Sequence, residues 1–185
     1  MEKTIILDAK GVSDHIQKIA EAILKKNPLG RDVVLVGIRT GGAFLAARLQ
    51  RAIGTLEGSP PPLGIVDITL YRDDWTRMAP TPVVGKTDLP FSLDDKIVVL
   101  VDDVLFTGRT VRAAMDALID YGRPKRIELA ILADRGDNNR ELPIMANYVG
   151  GVWDTAPDES INVYLEEEGF DDYVAIEKKD EAQKG

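Results

Sequence analysis

Four apolar runs stand out against a charged background: residues 33–38 (VVLVGI), 64–70 (GIVDITL), 96–102 (KIVVLVD) and 127–133 (IELAILA). Each is short and mostly rich in β-branched residues. Near-continuous apolar runs of this length suit strands buried on both faces of a parallel sheet. Between them the period changes. Ile16, Ile19, Ala20, Ile23 and Leu24 recur at helical spacing, which predicts a helix over 13–26. Ser13 or Asp14 can cap its start, and Asn27-Pro28-Leu29-Gly30 ends it. Further helices are predicted from Ala43 to Ile53 and from Arg109 to Tyr121, the latter stopped by Gly122-Arg123-Pro124.

Strand and helix alternate through residue 133, which predicts an α/β fold with a doubly wound, mainly parallel sheet. Ligands of such sheets bind at the carboxyl ends of the strands. That edge gathers the loops 39–42, 71–90, 102–110 and 134–140. Gly54 to Leu63, with Pro60 to Pro62, is a connection. The segment 72–90 lacks periodicity, and a loop of that length in a compact domain is usually functional. After 134 the pattern breaks into loop, a short apolar piece at Tyr148-Val149, and two short strands at 160–165 and 173–177, an antiparallel pair. One domain is expected over 1–178, with a small C-terminal hood over about 135–177 and a frayed tail at 179–185.

Composition narrows the chemistry. The chain has 185 residues, 44% of them apolar and 29% charged, enough for one sizeable core. It has no cysteine, which excludes disulfides, thiolate metal sites and a Cys nucleophile. The single histidine, His15, excludes a His-rich metal site, and its place in the first helix suggests a surface or locally hydrogen-bonded role. The net charge of -8 argues against broad non-specific nucleic-acid binding. No apolar run approaches a membrane span, and MEKTIILDAK does not read as a signal peptide. A cytoplasmic protein without membrane contact is expected.

One stretch combines two demands that look opposed. VVLVDDVLFTGRTV, residues 98–111, runs from a buried strand into Asp102 and Asp103 and then into Thr107-Gly108-Arg109-Thr110. Backbone N–H groups at a helix start lack internal partners, the helix dipole is positive there, and the threonines add hydroxyl donors. This is a phosphate cradle, but not a Walker loop. Carboxylates just ahead of it can accept from sugar hydroxyls or help hold Mg²⁺ through water. A ribose 5-phosphate satisfies both demands.

The same stretch closely resembles the phosphoribosyl-diphosphate (PRPP) motif of type I phosphoribosyltransferases. The aromatic Phe106, with DITLYRDD (67–74), GRTVRAAMDALIDYGRP (108–124), LADRG (132–136) and RELPI (140–144), resembles one branch, the PyrR family of pyrimidine-operon attenuators and uracil phosphoribosyltransferases. The resemblance covers nearly the whole chain. It implies conversion of uracil and PRPP to UMP and diphosphate, with Mg²⁺. It implies PRPP contacts at Arg39, Thr40, Gly41, Asp102, Asp103, Val104, Leu105, Phe106, Thr107, Gly108, Arg109 and Thr110. It implies a lid over about 72–90 and base contacts at Arg135, Val149 and Val152. Arg39, Arg72, Arg77 and Lys86 are candidates for stabilising the leaving diphosphate, Arg72 and Asp103 for direct catalysis. It also implies a homodimer or higher homo-oligomer, and binding of pyrimidine leader mRNA in response to UMP.

Several residues depart from the family pattern. Gly41 stands where an arginine is common in the diphosphate loop, so either Arg39 compensates or PRPP affinity is lowered. Gly151 replaces an expected lysine, Met145 an arginine and Glu21 a histidine, and Asn138-Asn139 stands in the region of an expected histidine, with what looks like a two-residue insertion. These losses of positive charge predict weakened RNA binding. The enzyme reading is therefore preferred to that of a UMP-sensing attenuator with secondary catalysis, or of a transferase for another base.

Overall fold

A computed structural model of the chain describes residues 2–28, 32–74 and 85–178. The element order is β1 (Glu2–Leu7), α1 (Ala9–Lys26), β2 (Val33–Ile38), α2 (Gly41–Glu57), β3 (Leu63–Val66), β4 (Ile97–Leu105), α3 (Arg109–Tyr121), β5 (Arg126–Asp134), β6 (Tyr148–Val152), β7 (Glu159–Tyr164) and β8 (Tyr173–Lys178). Five strands form a parallel sheet in the order β3-β2-β4-β5-β6. The apolar runs fill its centre, with Val34, Leu35, Val36, Val98, Val99, Leu100, Ala130 and Ile131 essentially inaccessible. α1 and α2 pack on one face through Ile16, Ile23, Leu45 and Leu49. α3 packs on the other through Val111, Ala114 and Leu118. Helices on both faces make the expected doubly wound α/β fold.

Several element boundaries move, each for a local reason. α1 begins at Ala9, because Asp8 Oδ1 accepts from the Gly11 amide at 2.8 Å and caps it. Ser13 and Asp14 lie inside the helix instead. α2 continues to Glu57 and closes on Gly58 at φ +75°, so Gly54 belongs to the helix and not to the connection. β3 stops at Val66, four residues before the predicted end. Asp67 Oδ1 accepts from the Thr69 amide at 2.9 Å, an Asx turn that bends the chain away. β4 runs past Asp102 to Leu105, because Val104 and Leu105 still pair with Ala133 and Asp134.

The predicted C-terminal pair is a three-stranded antiparallel sheet, β1-β8-β7. Its edge strand β1, near the start of the chain, has no counterpart among the elements expected from the sequence. The hood therefore draws on both ends of the chain. Arg48 of α2 ties it down, donating to Glu167 at 2.5 and 2.8 Å and to Asp172 at 2.5 and 2.8 Å. Among the described residues no helix is long and apolar enough to cross a membrane. Arg77 and the middle of the predicted lid, 75–84, lie outside the described residues, as does the tail 179–185.

Candidate functional site

At the carboxyl edge of the sheet, β4 ends in Asp102-Asp103-Val104-Leu105 and turns into α3 through Phe106, Thr107 and Gly108. Residues 104–111 line one cavity of about 260 Å³ together with Arg72, Asp73 and Asp74. Gly108 has φ +92°, a conformation that a side chain makes costly. Thr107 Oγ1 accepts from the Arg109 amide at 3.3 Å. Gly108, the residue at the cap position of α3, has no side chain to cap the other amides of the first turn.

The two acids differ. Asp102 is buried, and burial together with the neighbouring charge of Asp103 raises its pKa well above the ordinary carboxylate range. Its Oδ1 accepts from the Asp103 amide at 3.0 Å. Asp103 is half-buried, and its Oδ1 accepts from the Val104 amide at 2.7 Å. The other carboxylate oxygen faces the start of α2. A Cβ on Gly41 would stand 2.6 Å from Asp103 Oδ2, so the missing side chain at 41 is what lets the carboxylate lie there. Arg39, Thr40 and Gly41 thus adjoin the acid pair. The Arg39–Thr40 peptide is cis. Arg39 Nη2 donates to the Lys86 carbonyl at 2.7 Å, and its Nε lies 3.8 Å from Asp67. Burial alone would raise the pKa of Asp67, but hydrogen bonds from Thr69 and Gly85 and the charge of Arg39 hold it below the ordinary range.

The segment 140–144, whose sequence resembles the family, forms the floor of the loop 106–110. The Glu141 and Leu142 amides donate to the Thr107 carbonyl at 3.0 and 3.1 Å. Arg140 Nη1 donates to the Phe106 carbonyl at 2.5 Å, and Nη2 to Asp134 at 2.7 Å. Leu142 and Ile144 pack beneath Gly108, within 3.4 Å of where a Cβ would stand. Arg109 is held between Glu141, at 2.6 Å, and Asp73. The Glu141 contact, then the Asp73 contact, raise its pKa further. Arg72 is paired in two-point fashion with Asp74, at 2.8 Å for both bonds.

The residues expected to face the base are only partly gathered. Arg135 lies against the Phe106 ring, with its guanidinium donating to Thr155 and to the Glu159 carbonyl. Burial lowers its pKa. Val152 is exposed at the carboxyl edge beside Asp134. Val149 sits mid-strand opposite Ile131. Three residues apart on a strand, Val149 and Val152 point to opposite faces, so they do not line one wall.

Comparison with known proteins agrees with this architecture. The phosphoribosyl transferase domain model matches residues 3–159. Bifunctional protein PyrR of Syntrophobacter fumaroxidans is 49% identical over 180 residues, covering 97% of this chain and 96% of the relative. Its counterpart in Geobacter sulfurreducens is 53% identical over 175 residues, covering 95% of this chain and 98% of the relative. The chain belongs to the PyrR family. A solved hypoxanthine phosphoribosyltransferase from Staphylococcus aureus superposes with a TM-score of 0.69 at 24% identity, covering 97% of this chain and 94% of that one. At that distance the likeness is one of fold.

Against the PyrR pattern, the departures acquire surroundings. Met145 is 79% exposed. Glu21 is exposed and accepts from Gln17 at 3.1 Å. Gly151 lies under the indole of Trp153, which occupies the space a side chain would need. Trp153 in turn approaches the ring of His15, 5.9 Å between centroids, while His15 Nδ1 is 2.7 Å from the Gly11 carbonyl.

Proposed function

We propose that this protein is a uracil phosphoribosyltransferase, converting uracil and PRPP to UMP and diphosphate in the cytoplasm. One observation carries the reading: the strand end that bears the carboxylate pair Asp102-Asp103 runs directly into a helix start without a side-chain cap, and the turn between them, residues 104–111, lines a cavity. Acceptors for a ribose diol and donors for its 5-phosphate stand a few residues apart, in the order the sugar presents them. Asp102 and Asp103 take the hydroxyls. Thr107 to Thr110 take the phosphate. Arg39, Thr40 and Gly41, beside Asp103, face the diphosphate on the anomeric carbon, with Arg72 nearby to offset its charge.

In the reaction the bond between the anomeric carbon and the diphosphate oxygen breaks, and uracil N1 bonds to that carbon. The proton of N1 is released, and Asp103 is the candidate we put forward to receive it. Cationic charge developing on the sugar is met by the fixed carboxylates, and the leaving group by arginine. Mg²⁺ is the implied cofactor. It is commonly held by one or two carboxylates together with substrate phosphates. Among the described residues no group of three or more His, Cys, Asp or Glu gathers to cage a metal. Asp102 and Asp103 beside a diphosphate fit an ion bound largely through its substrate. When bound, that ion screens the diphosphate charge.

The test is diphosphate release from PRPP with a panel of uracil, cytosine, orotate and hypoxanthine. Uracil is expected to lead by at least an order of magnitude. Equal or better rates with a purine would overturn the assignment.

The printed name of the relatives, bifunctional, favours a second role in the same molecule: UMP-dependent binding of pyrimidine leader mRNA. The net charge of -8, and the carboxylate, thioether and half-buried glycine at 21, 145 and 151, support a weakened form of it. A filter-binding titration with leader RNA, with and without UMP, decides. Nanomolar, UMP-enhanced binding would sink the weakening.

A further inference from the structure

Phe106 is the one side chain of the phosphate loop that ribose and phosphate chemistry leave without a role. Its ring is 42% exposed, in a loop whose backbone is sealed from below. One face of that ring is covered. The guanidinium carbon of Arg135 lies 3.8 Å from the ring centroid, while Arg135 as a whole is only 5% exposed.

Two oxygens of the hood fix the plane of that guanidinium. Nε donates to Thr155 Oγ1 at 2.8 Å and Nη2 to the Glu159 carbonyl at 2.6 Å. The Arg135 amide donates to the Leu105 carbonyl at 3.0 Å, so the arginine is also tied to the residue before Phe106. Arg140 meanwhile holds the Phe106 carbonyl. Ring and backbone of one residue are thus gripped by two arginines from the same downstream segment. Burying a guanidinium is costly unless hydrogen bonds and an aromatic face compensate it. Here that cost is met in a way that immobilises one aromatic ring on the cavity lining.

We infer that Arg135 is a positioning residue: it holds the Phe106 ring as the wall against which the base lies, and does not itself read the base. The inference rests on the transferase reading above and names what shapes its base site. A flat heterocycle stacks on an aromatic face. A ring already fixed spares the ligand the entropy of ordering it. The Arg135 expected from the family pattern as a base contact then acts one residue removed.

UMP and ribose 5-phosphate share the 5-phosphate and the diol and differ by the base, so their affinities for the full chain, measured by calorimetry, isolate the wall. Arg135→Gln is expected to weaken UMP about tenfold and ribose 5-phosphate less than about twofold. In a Phe106→Leu background the same substitution is expected to cost UMP nothing further. A loss that persists in that background means Arg135 touches the base directly and overturns the inference. Equal losses for both ligands mean a scaffold role and overturn it too. If Arg135→Gln does not fold, Thr155→Val removes one oxygen that orients the guanidinium. A selective UMP loss of about threefold, absent in the Phe106→Leu background, is then expected, and an unselective or background-independent loss overturns the inference. Wild-type protein that binds UMP no tighter than ribose 5-phosphate would have no base site, which overturns the transferase reading itself. Failure of the double-mutant comparison alone leaves that reading standing.

Discussion

Two loops at the carboxyl edge, both proposed to meet anions, are built differently. The loop 106–110 is braced on every side by its own domain. Arg140 and the amides of Glu141 and Leu142 hold its carbonyls, Leu142 and Ile144 fill the space under Gly108, and Glu141 and Asp73 hold Arg109. The loop 39–41 has fewer supports. Its arginine is committed to the Lys86 carbonyl and lies near Asp67, and Gly41 offers no side chain. The first loop is therefore preorganised, while the second must exchange existing contacts to use its charge. On the proposed reading the first holds the sugar phosphate, and affinity for the diphosphate of PRPP is set by that exchange.

The comparison can be broken most forcefully at Gly108. Gly108→Ala forces a Cβ into the left-handed region and toward Ile144, 3.3 Å away. Left-handed strain of ~1–2 kcal/mol, added to displaced donors, is expected to lower ribose 5-phosphate and PRPP affinity together by about 10–100-fold. Calorimetry with both ligands checks it, and an unaffected ribose 5-phosphate would refute the preorganised loop. Arg39→Gln is the complementary break. Loss of a charge-assisted contact predicts a rise of about tenfold in KM for PRPP, with ribose 5-phosphate binding held within about twofold. Parallel losses would show that the two loops are not separable.

The acids between the loops give a smaller effect of opposite sign. Asp102 has a folded pKa raised above 3.8 by burial and by Asp103. From 3.8 up to the raised value the native state binds more protons than the unfolded chain, so stability falls as pH rises through that window. Asp102→Asn removes this cost while keeping an oxygen for the Asp103 amide. It is expected to lose activity yet gain about 1 kcal/mol at neutral pH, or roughly 2–4 °C in Tm. The gain should shrink as pH falls toward 3.8 and vanish below it, where the wild-type acid is protonated in both states. Thermal melts across pH would contradict this if the gain were constant. The smallest effect belongs to Glu141→Gln. Its exposed pair with Arg109 contributes little and is screened by salt. Ribose 5-phosphate affinity should change by less than about threefold, with the difference vanishing at high salt.

What the sequence disclosed follows from how local each cause is. VVLVGI and IELAILA announced central parallel strands because burial on both faces leaves a continuous apolar run. The phosphate loop was legible because its residue types are demanded at adjacent positions. β1 was not, because TIIL is a short, largely exposed edge whose partner β8 lies at the far end of the chain. The start of α1 was signalled by Asp8 but outweighed by later capping residues. The end of β3 turned on an Asx turn that a run of apolar residues conceals. The grip of Arg140 on Phe106, and the stacking of Arg135, join residues some 30 positions apart. No pattern along the chain encodes such a contact.

Trp153 and Gly151 are coupled positions. With the indole seated where a side chain would stand, a lysine placed at 151 has to displace the tryptophan ring. Removing the tryptophan alone leaves a gap beside His15. A basic side chain at 151 is therefore expected to be tolerated best together with a smaller residue at 153.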